Sequence, residues 1–258
     1  MKPDLDELRV QLEAARRRDE VISPIVPERL AGGAWWSGPW PARLRAGVLE
    51  PKDGYRFRPE NVVLPTLLQG TRAARVVELG AGSGSLLLAA WEACEATRAV
   101  GVELQAEAAE RLGRTLQAHG LSERAAVVEG DLRDLACLAR VEAHLGGLAD
   151  LVVMNPPFFP VGWGQPSSAE ATRRSTHAEF GDVTDFLKAA RALLAPEGCA
   201  WVVYDAARAA ELLAAGGSAG LALSRWAWIS DQRPDKAGQP FRVWAQWRRD
   251  GAKVARVA

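Results

Sequence analysis

The alternation of apolar and polar positions changes character along the chain. After Thr71, short apolar runs alternate with segments whose apolar residues recur every three to four positions. The first pattern predicts buried strands and the second predicts amphipathic helices. The predicted strands span residues 75–79, 99–103, 125–129, 151–154, 200–204, 222–229 and 241–247. The predicted helices span residues 85–96, 106–119 and 183–194, and a further helix begins at residue 206.

This order of elements predicts the fold class. Strands that alternate with helices at this spacing form βαβ units, in which the strands run parallel. The last two strands flank a loop at residues 232–240 and predict an antiparallel hairpin. We therefore expect an α/β fold with a doubly wound, mostly parallel, Rossmann-like sheet and a C-terminal antiparallel hairpin. Four tryptophans alternate on the hairpin and are expected to pack on the sheet face: Trp226, Trp228, Trp244 and Trp247.

The residues before this region predict a small N-terminal cap. Leu5, Leu8 and Leu12 recur at helical spacing, which predicts a helix over residues 4–20. Residues 21–41 are rich in Pro, Gly and Trp, which excludes a long helix or a central strand. Residues 43–49 alternate like a short strand. We expect a cap at residues 1–42 and a main domain at residues 43–258.

Composition and charge narrow the classes of protein to consider. The chain has 258 residues, of which 48% are hydrophobic and 25% are charged, as in globular proteins. No apolar run approaches the ~18 residues of a membrane span. Basic and acidic residues number 32 each, which argues against sequence-blind nucleic-acid binding through a global positive field. The cysteines and histidines lack metal-ligand spacing, and the N-terminal residues lack the apolar core of a signal peptide. We therefore expect a cytoplasmic protein with no metal site.

A glycine-rich turn and two later acids predict a nucleotide-type cofactor. Residues 78–84 read Glu-Leu-Gly-Ala-Gly-Ser-Gly between a strand and a helix, where glycine allows close backbone approach and the helix offers N–H groups. Glu103 ends the next strand, where a carboxylate accepts hydrogen bonds from ribose hydroxyls. Asp131 follows the third strand, in a position to meet an adenine edge. The predicted cofactor contacts are Glu78, Gly80, Gly82, Gly84, Glu103 and Asp131.

A second motif follows the fourth strand and predicts chemistry on an amine. The side-chain oxygen of Asn155 and the backbone carbonyl of Pro156 can each accept an N–H of one amine, which favours a pyramidal nitrogen aimed at a methyl donor. Pro157 helps to fix the turn without a competing N–H, and Phe158 can stack on a planar group. The predicted catalytic residues are Asn155, Pro156, Pro157 and Phe158, with Asn155 also beside the cofactor.

These motifs resemble those of a known class. The GxGxG spacing, the acid Glu78 and the Asn-Pro-Pro-Phe run are similar to class I S-adenosylmethionine-dependent methyltransferases with an Asn-Pro-Pro-aromatic motif. Within this class, residues ~43–248 resemble the bacterial tRNA(Val) adenine-37 N(6)-methyltransferase family. The resemblance implies S-adenosyl-L-methionine as cofactor and methylation of an adenine amino group in RNA, with tRNA favoured as the partner and no membrane involved.

Two further segments carry this resemblance. Residues 50–57 read Glu-Pro-Lys-Asp-Gly-Tyr-Arg-Phe and are similar to the family's Gln-Pro-Lys-x-Gly-Tyr-Arg-Phe, which implies that Tyr55, Arg56 and Phe57 lie near the cofactor. Of the family's Ala-Arg-His-Glu-like stretch only His177 is retained in place, with Thr176 and Ala178 as departures. The predicted substrate contacts are His177, Arg233 and Lys236. The predicted RNA-facing patch around the hairpin comprises Arg225, Arg233, Lys236, Arg242, Arg248 and Arg249.

The sequence leaves alternatives open. One is a protein glutamine N-methyltransferase, although those enzymes carry a separate N-terminal helical domain and only ~60 residues precede the sheet here. Another is a ribosomal RNA guanine N-methyltransferase. A third is a cofactor-binding module without turnover, against which the intact Asn-Pro-Pro-Phe run weighs.

Overall fold

The computed structural model describes residues 3–26, 40–53, 59–157, 181–230 and 238–251. The strands are β1 Glu20–Ser23, β2 Val48–Pro51, β3 Arg75–Leu79, β4 Arg98–Glu103, β5 Ala125–Glu129, β6 Ala149–Met154, β7 Leu194–Asp205, β8 Leu221–Ser230 and β9 Pro240–Arg249. The helices are α1 Leu5–Ala15, α2 Ala42–Ala46, α3 Val63–Leu67, α4 Ser85–Cys94, α5 Ala106–Ala118, α6 Leu135–Leu145, α7 Val183–Leu193 and α8 Ala209–Ser218. None of the helices in these ranges has the length and apolar character needed to cross a bilayer.

Seven strands form the central sheet, in the order β5-β4-β3-β6-β7-β9-β8. The first five strands of this order pair in parallel, and β9 pairs antiparallel with both β7 and β8. The predicted doubly wound sheet with a terminal antiparallel hairpin is confirmed. The chain winds outward from β3 to β5 and then returns to place β6 on the other side of β3. Such a reversal opens a crevice at the carboxyl ends of the strands.

Helices cover both faces of the sheet. Leu86 of α4 and Leu112 of α5 belong to the core on one face, whereas α6, α7 and α8 contribute to the core on the other. Trp244 is buried and packs edge to face with Trp201, their ring centroids 6.4 Å apart. Trp247 is also buried, as expected, but Trp228 lies on the outermost strand β8 and is 50% exposed.

The N-terminal cap differs from its prediction in two elements. Helix α1 ends at Ala15, and β1 pairs antiparallel with β2 in a separate two-stranded sheet. The strand predicted at residues 43–49 is wrong over residues 43–46, which belong to α2, whereas residues 48 and 49 lie in β2. The helix was missed because five residues are too few to show a 3.6-residue period. Gly47 then turns the chain at φ 95°, where a Cβ would lie 2.3 Å from the carbonyl oxygen of Ser23. The boundary at residue 42 remains a prediction.

Candidate functional site

The glycine-rich turn connects β3 to α4 at the reversal point of the sheet. Gly80, Gly82 and Gly84 have φ values of 66°, 50° and 80°, in the left-handed region that favours glycine. A Cβ on Gly84 would lie 2.3 Å from Cδ1 of Leu112, whereas one on Gly82 would meet nothing within 4 Å. The turn is therefore closely packed against α5 on one side and open on the other.

Glu78 stabilises the start of the helix that follows this turn. Its Oε2 accepts a hydrogen bond of 2.8 Å from the backbone N–H of Leu87, in the first turn of α4. This contact satisfies an N–H that the N-cap residue, Gly84, has no side chain to reach. Burial raises the pKa of Glu78 well above its usual value, and the neighbouring carboxylate of Glu103 raises it further. Glu78 thus both lines the cavity described below and holds the helix end in place.

Two acids stand at the ends of the neighbouring strands, as predicted. Glu103 ends β4, and its carboxylate accepts hydrogen bonds from the backbone N–H groups of Gly82 at 2.8 Å and Gln105 at 2.9 Å. Burial raises the pKa of Glu103, against the effect of these N–H groups. Asp131 follows β5 and forms an ion pair with Arg133, which lowers the pKa of Asp131.

Asn155 leaves the carboxyl end of β6 and contacts a residue that the sequence analysis did not identify. Its Nδ2 donates to Oδ1 of Asn61 at 3.4 Å. Asn61 is buried and donates in turn to Oγ of Ser85, the first residue of α4, also at 3.4 Å. Asn61 therefore connects the glycine-rich turn to the Asn-Pro-Pro segment, in which Pro156 is buried and Pro157 is half-buried.

These strand ends share one cavity of about 330 Å³. Gly80, Gly82, Glu78, Glu103, Asp131, Asn155 and Pro157 all line it. Strand β2, which pairs with β1 of the cap, supplies a further wall through Glu50, which is buried and accepts a hydrogen bond of 3.4 Å from Ser83 of the turn. Among the described lining residues seven are acidic, and Arg111 is the single basic one. The described part of the cavity therefore favours a cationic ligand.

Arg111 is held by an ion-pair cluster between the cap and α5. Glu20 of β1 accepts from Nε of Arg111 at 3.1 Å and from Nη1 of Arg114 at 2.8 Å. Burial opposes ionisation of Glu20, but hydrogen bonds from Arg114 and from the backbone of Arg17 lower its pKa to about 2. The cluster fixes the cap beside the cavity. No periodicity or motif marks Asn61 or Arg111, because their partners are distant in sequence, whereas Glu50 is the first residue of the segment 50–57 that resembles the family's lead-in.

Several predicted residues lie outside the described part of the chain: Tyr55, Arg56, Phe57, Phe158, His177, Arg233 and Lys236. The described members of the predicted RNA-facing patch have partners within the protein. Arg225 and Arg248 donate to the carbonyls of Leu67 and Glu197, and Arg249 donates to that of Leu194. Arg242 pairs with Asp205 at 2.9 Å. These four arginines therefore stabilise the hairpin.

The curated proteins of similar sequence include methyltransferases of two kinds. The chain is 34% identical over 138 residues to a 4-amino-L-phenylalanine/4-methylamino-L-phenylalanine methyltransferase of Streptomyces pristinaespiralis, covering 52% of this chain and 44% of that protein. It is 31% identical over 155 residues to a tRNA1(Val) (adenine(37)-N6)-methyltransferase of Aeromonas hydrophila subsp. hydrophila, covering 60% of this chain and 61% of that protein. The chain thus spans about half to three fifths of the length of these relatives.

Solved structures agree on the fold. TrmN from Thermus thermophilus superposes with a TM-score of 0.50 and 21% identity over 73% of this chain and 48% of that one. A predicted O-methyltransferase, Atu636 from Agrobacterium tumefaciens, superposes with a TM-score of 0.51 and 24% identity, covering 72% of this chain and 79% of that one. At these identities the likeness concerns the fold alone. The model of the methyltransferase small domain matches residues 60–215, which include the glycine-rich turn, both strand-end acids and the Asn-Pro-Pro segment, and the chain therefore belongs to the methyltransferase small domain family.

Proposed function

We propose that this protein transfers a methyl group from S-adenosylmethionine to an aromatic or conjugated amine. The observation that carries the proposal is that the glycine-rich turn, Glu103 and Asn155 line a single cavity. The residues fit this cofactor: the open side of Gly82 admits a ligand close to the backbone, and the acidic lining suits a sulfonium and an ammonium group. We assign the ribose to Glu103, the adenine to the neighbourhood of Asp131 and the methyl donor to the side of Asn155.

The proposed mechanism relies on positioning. S-adenosylmethionine, when bound, would supply an electrophilic methyl group, whose bond to sulfur would break as the bond to the amine nitrogen forms, with S-adenosylhomocysteine as the leaving product. Nδ2 of Asn155 donates to Asn61, and this contact sets the orientation of the amide, with Oδ1 as the acceptor that we assign to one N–H of the substrate amine. The carbonyl of Pro156 would accept the second N–H. Holding the amine in this way aims its lone pair along the transfer direction, and the proton is lost to solvent after transfer.

For the substrate, we propose an adenine amino group in RNA, with tRNA favoured. The support is the motif resemblance together with relatives whose name states this reaction. This function would place the protein in the cytoplasm, where its substrate is found. A small arylamine is a second candidate, because the relative with the highest identity among those compared above is named for an amino-substituted phenylalanine.

One experiment tests both the class and the substrate. Labelled S-adenosylmethionine is offered with unmodified tRNA, ribosomal RNA, total protein or 4-amino-L-phenylalanine, and labelled products are identified by mass spectrometry. N(6)-methyladenosine in tRNA would support the leading proposal, and label on the amino acid would support the second. Label confined to protein or to guanine would overturn both in favour of a glutamine or ribosomal RNA enzyme. Cofactor binding without any transfer would indicate a module without turnover.

The variant Asn155→Ala tests the mechanism. We expect methyl transfer to fall by about 100-fold or more, because an acceptor that orients the amine in the transition state is lost. Calorimetry should show S-adenosylmethionine affinity within about threefold of wild type, because the contacts assigned to the ribose and the adenine remain. Unchanged turnover in this variant would contradict the mechanism.

A further inference from the structure

Helix α7 contributes an aromatic ring to the cavity, and this ring has no role in the proposal so far. Phe186 lies one turn into α7, is 5% exposed and lines the cavity. Its place along the helix is fixed by the N-cap residue Asp182, whose side chain accepts from the backbone N–H groups of Thr184 and Asp185. The side chain therefore belongs to the core on one side and to the cavity wall on the other.

The ring of Phe186 lies against the first glycine of the glycine-rich turn. A Cβ on Gly80 would lie 3.0 Å from Cε1 and 3.1 Å from Cζ of the ring. The ring thus occupies the side of Gly80 on which another residue would carry its side chain. Gly80 is the first residue after β3, and it also lines the cavity. An aromatic ring therefore lies beside the carboxyl end of β3.

The order of the strands indicates which part of the cofactor would meet this ring. The ribose is assigned above to Glu103, which ends β4, and the methyl donor to the side of Asn155, which follows β6. Strand β3 lies between β4 and β6, and neighbouring strands are about 4.8 Å apart. The atom that links the ribose carbon to the methyl group therefore passes over the end of β3, where Gly80 and Phe186 meet. In S-adenosylmethionine this atom is the positively charged sulfur.

We propose that the aromatic ring of Phe186 binds the sulfonium of the cofactor through a cation–π contact. This inference rests on the function proposed above and adds the residue that recognises the charge of the reacting atom. The face of an aromatic ring is the negative side of its quadrupole and attracts a cation within about 6 Å of the ring centre. S-adenosylhomocysteine, the product of the transfer, has a neutral sulfur and gains no such attraction. Phe186 thus favours binding of the methyl donor over binding of the product.

The acidic residues of the cavity also favour a cation, so the test has to separate their effect from that of the ring. Fluorine atoms on the ring withdraw electron density from its face but leave the carboxylates unchanged. The phenylalanine at position 186 alone is therefore replaced by its trifluoro and pentafluoro forms in the full chain. Calorimetry then measures the binding of S-adenosylmethionine, S-adenosylhomocysteine and 5′-methylthioadenosine, whose sulfur is neutral.

We expect fluorination to lower the ratio of S-adenosylmethionine affinity to S-adenosylhomocysteine affinity stepwise, by about three- to tenfold in the pentafluoro form. Phe186→Leu keeps an apolar side chain and should lower the ratio by a similar factor, because the ring is lost. Binding of methylthioadenosine should stay within about twofold of wild type in each protein, which also shows that the cavity is folded.

Leu132→Ala serves as the matched control, because Leu132 is a buried apolar residue that lines the same cavity but follows β5, on the adenine side. We expect it to weaken all three ligands alike and to leave the affinity ratio unchanged. The inference is overturned if fluorination leaves the ratio unchanged, raises it or weakens all three ligands equally, or if Phe186→Leu matches the control. If the wild-type protein binds none of the three ligands, the proposed function itself fails, which is distinguishable from a failure confined to Phe186.

Discussion

At the scale of single residues, the backbone of the glycine-rich turn sets strict requirements on side chains. Gly84 needs a positive φ and has no space for a Cβ, because Leu112 packs against it. Gly113, in the middle of α5, has neither constraint. We therefore expect substitution by alanine to change the stability of the protein in opposite directions at these two positions.

We expect Gly84→Ala to lower the free energy of unfolding by about 1–3 kcal/mol, through backbone strain and displacement of Leu112. Gly113→Ala should raise it by about 0.5–1 kcal/mol, because alanine has the higher helix propensity. Urea titration of both variants measures the difference. Equal effects would show that the turn can rearrange without cost.

The second prediction at this scale concerns His119. Its Nε2 lies 2.8 Å from the carbonyl oxygen of Gly47, and burial lowers its pKa to about 4. The unfolded chain titrates near 6.5, so unfolding takes up a proton between these two values. Neutral His119 therefore contributes stability above pH ~6.5 that is lost as the pH falls towards 4, on the order of 3 kcal/mol in total.

The test compares the wild type with His119→Gln at pH 7.5, 5.5 and 4.5. The gap in the free energy of unfolding should narrow as the pH falls. Glu78 and Glu103 contribute in the opposite direction, because their raised pKa values favour the fold at low pH. Both proteins contain these acids, so their contributions cancel when the free energy of unfolding of the variant is subtracted from that of the wild type. His144→Gln, on the exposed side of α6, is the control and should keep the wild-type slope. A gap independent of pH would contradict the assignment.

At the scale of elements, one buried acid contributes to the attachment of the cap. Strand β1 presents Glu20 to Arg111 and Arg114 of α5, and β2 follows because it pairs with β1. Breaking a buried ion pair by removing one partner leaves the others uncompensated.

We expect Glu20→Gln to lower the free energy of unfolding by about 3 kcal/mol and to speed amide exchange in β1 and β2. Because the pKa of Glu20 falls to about 2 in the fold, its contribution is complete above pH ~4.5 and is lost as the pH falls towards 2. Glu13→Gln, in an exposed pair with Arg16, should change stability by less than about 0.5 kcal/mol. Similar values for the two variants would disprove the role of the cluster.

At the scale of the whole molecule, the cavity joins the cap to the sheet, so binding a ligand there should stabilise both. We expect S-adenosylmethionine at 100 times its dissociation constant to raise the free energy of unfolding by about 2.7 kcal/mol. It should also protect the amides of β1 and β2, together with the glycine-rich turn, from exchange. ATP has the same nucleoside with an anionic tail and should do neither, because the described cavity lining is acidic. Protection confined to the sheet would contradict the joint site.

Much of this architecture follows from the sequence alone. Apolar runs separated by amphipathic segments are sufficient for a parallel sheet, and parallel strands bring their carboxyl ends to one edge. Glu103 ends such a strand, and Gly80, Asp131 and Asn155 each follow one, so their meeting in one cavity could be predicted from the sequence. The short helices α2 and α3 were missed because five residues are too few to establish a period, and the longer helix α6 was not predicted either.

Only the tertiary structure decided which other side chains complete the cavity. Asn61 meets Asn155 across 94 positions of the chain, and Glu50 meets Ser83 across 33. The hydrogen bonds from Arg225, Arg248 and Arg249 to backbone carbonyls could not be predicted from the sequence either, where these residues were expected to belong to an RNA-facing patch. Periodicity reports whether a residue faces a core, but a contact between distant segments depends on how whole elements pack. The nucleoside side of the site is therefore encoded locally in strand ends, whereas the cap side arises from the packing of β2 against the glycine-rich turn.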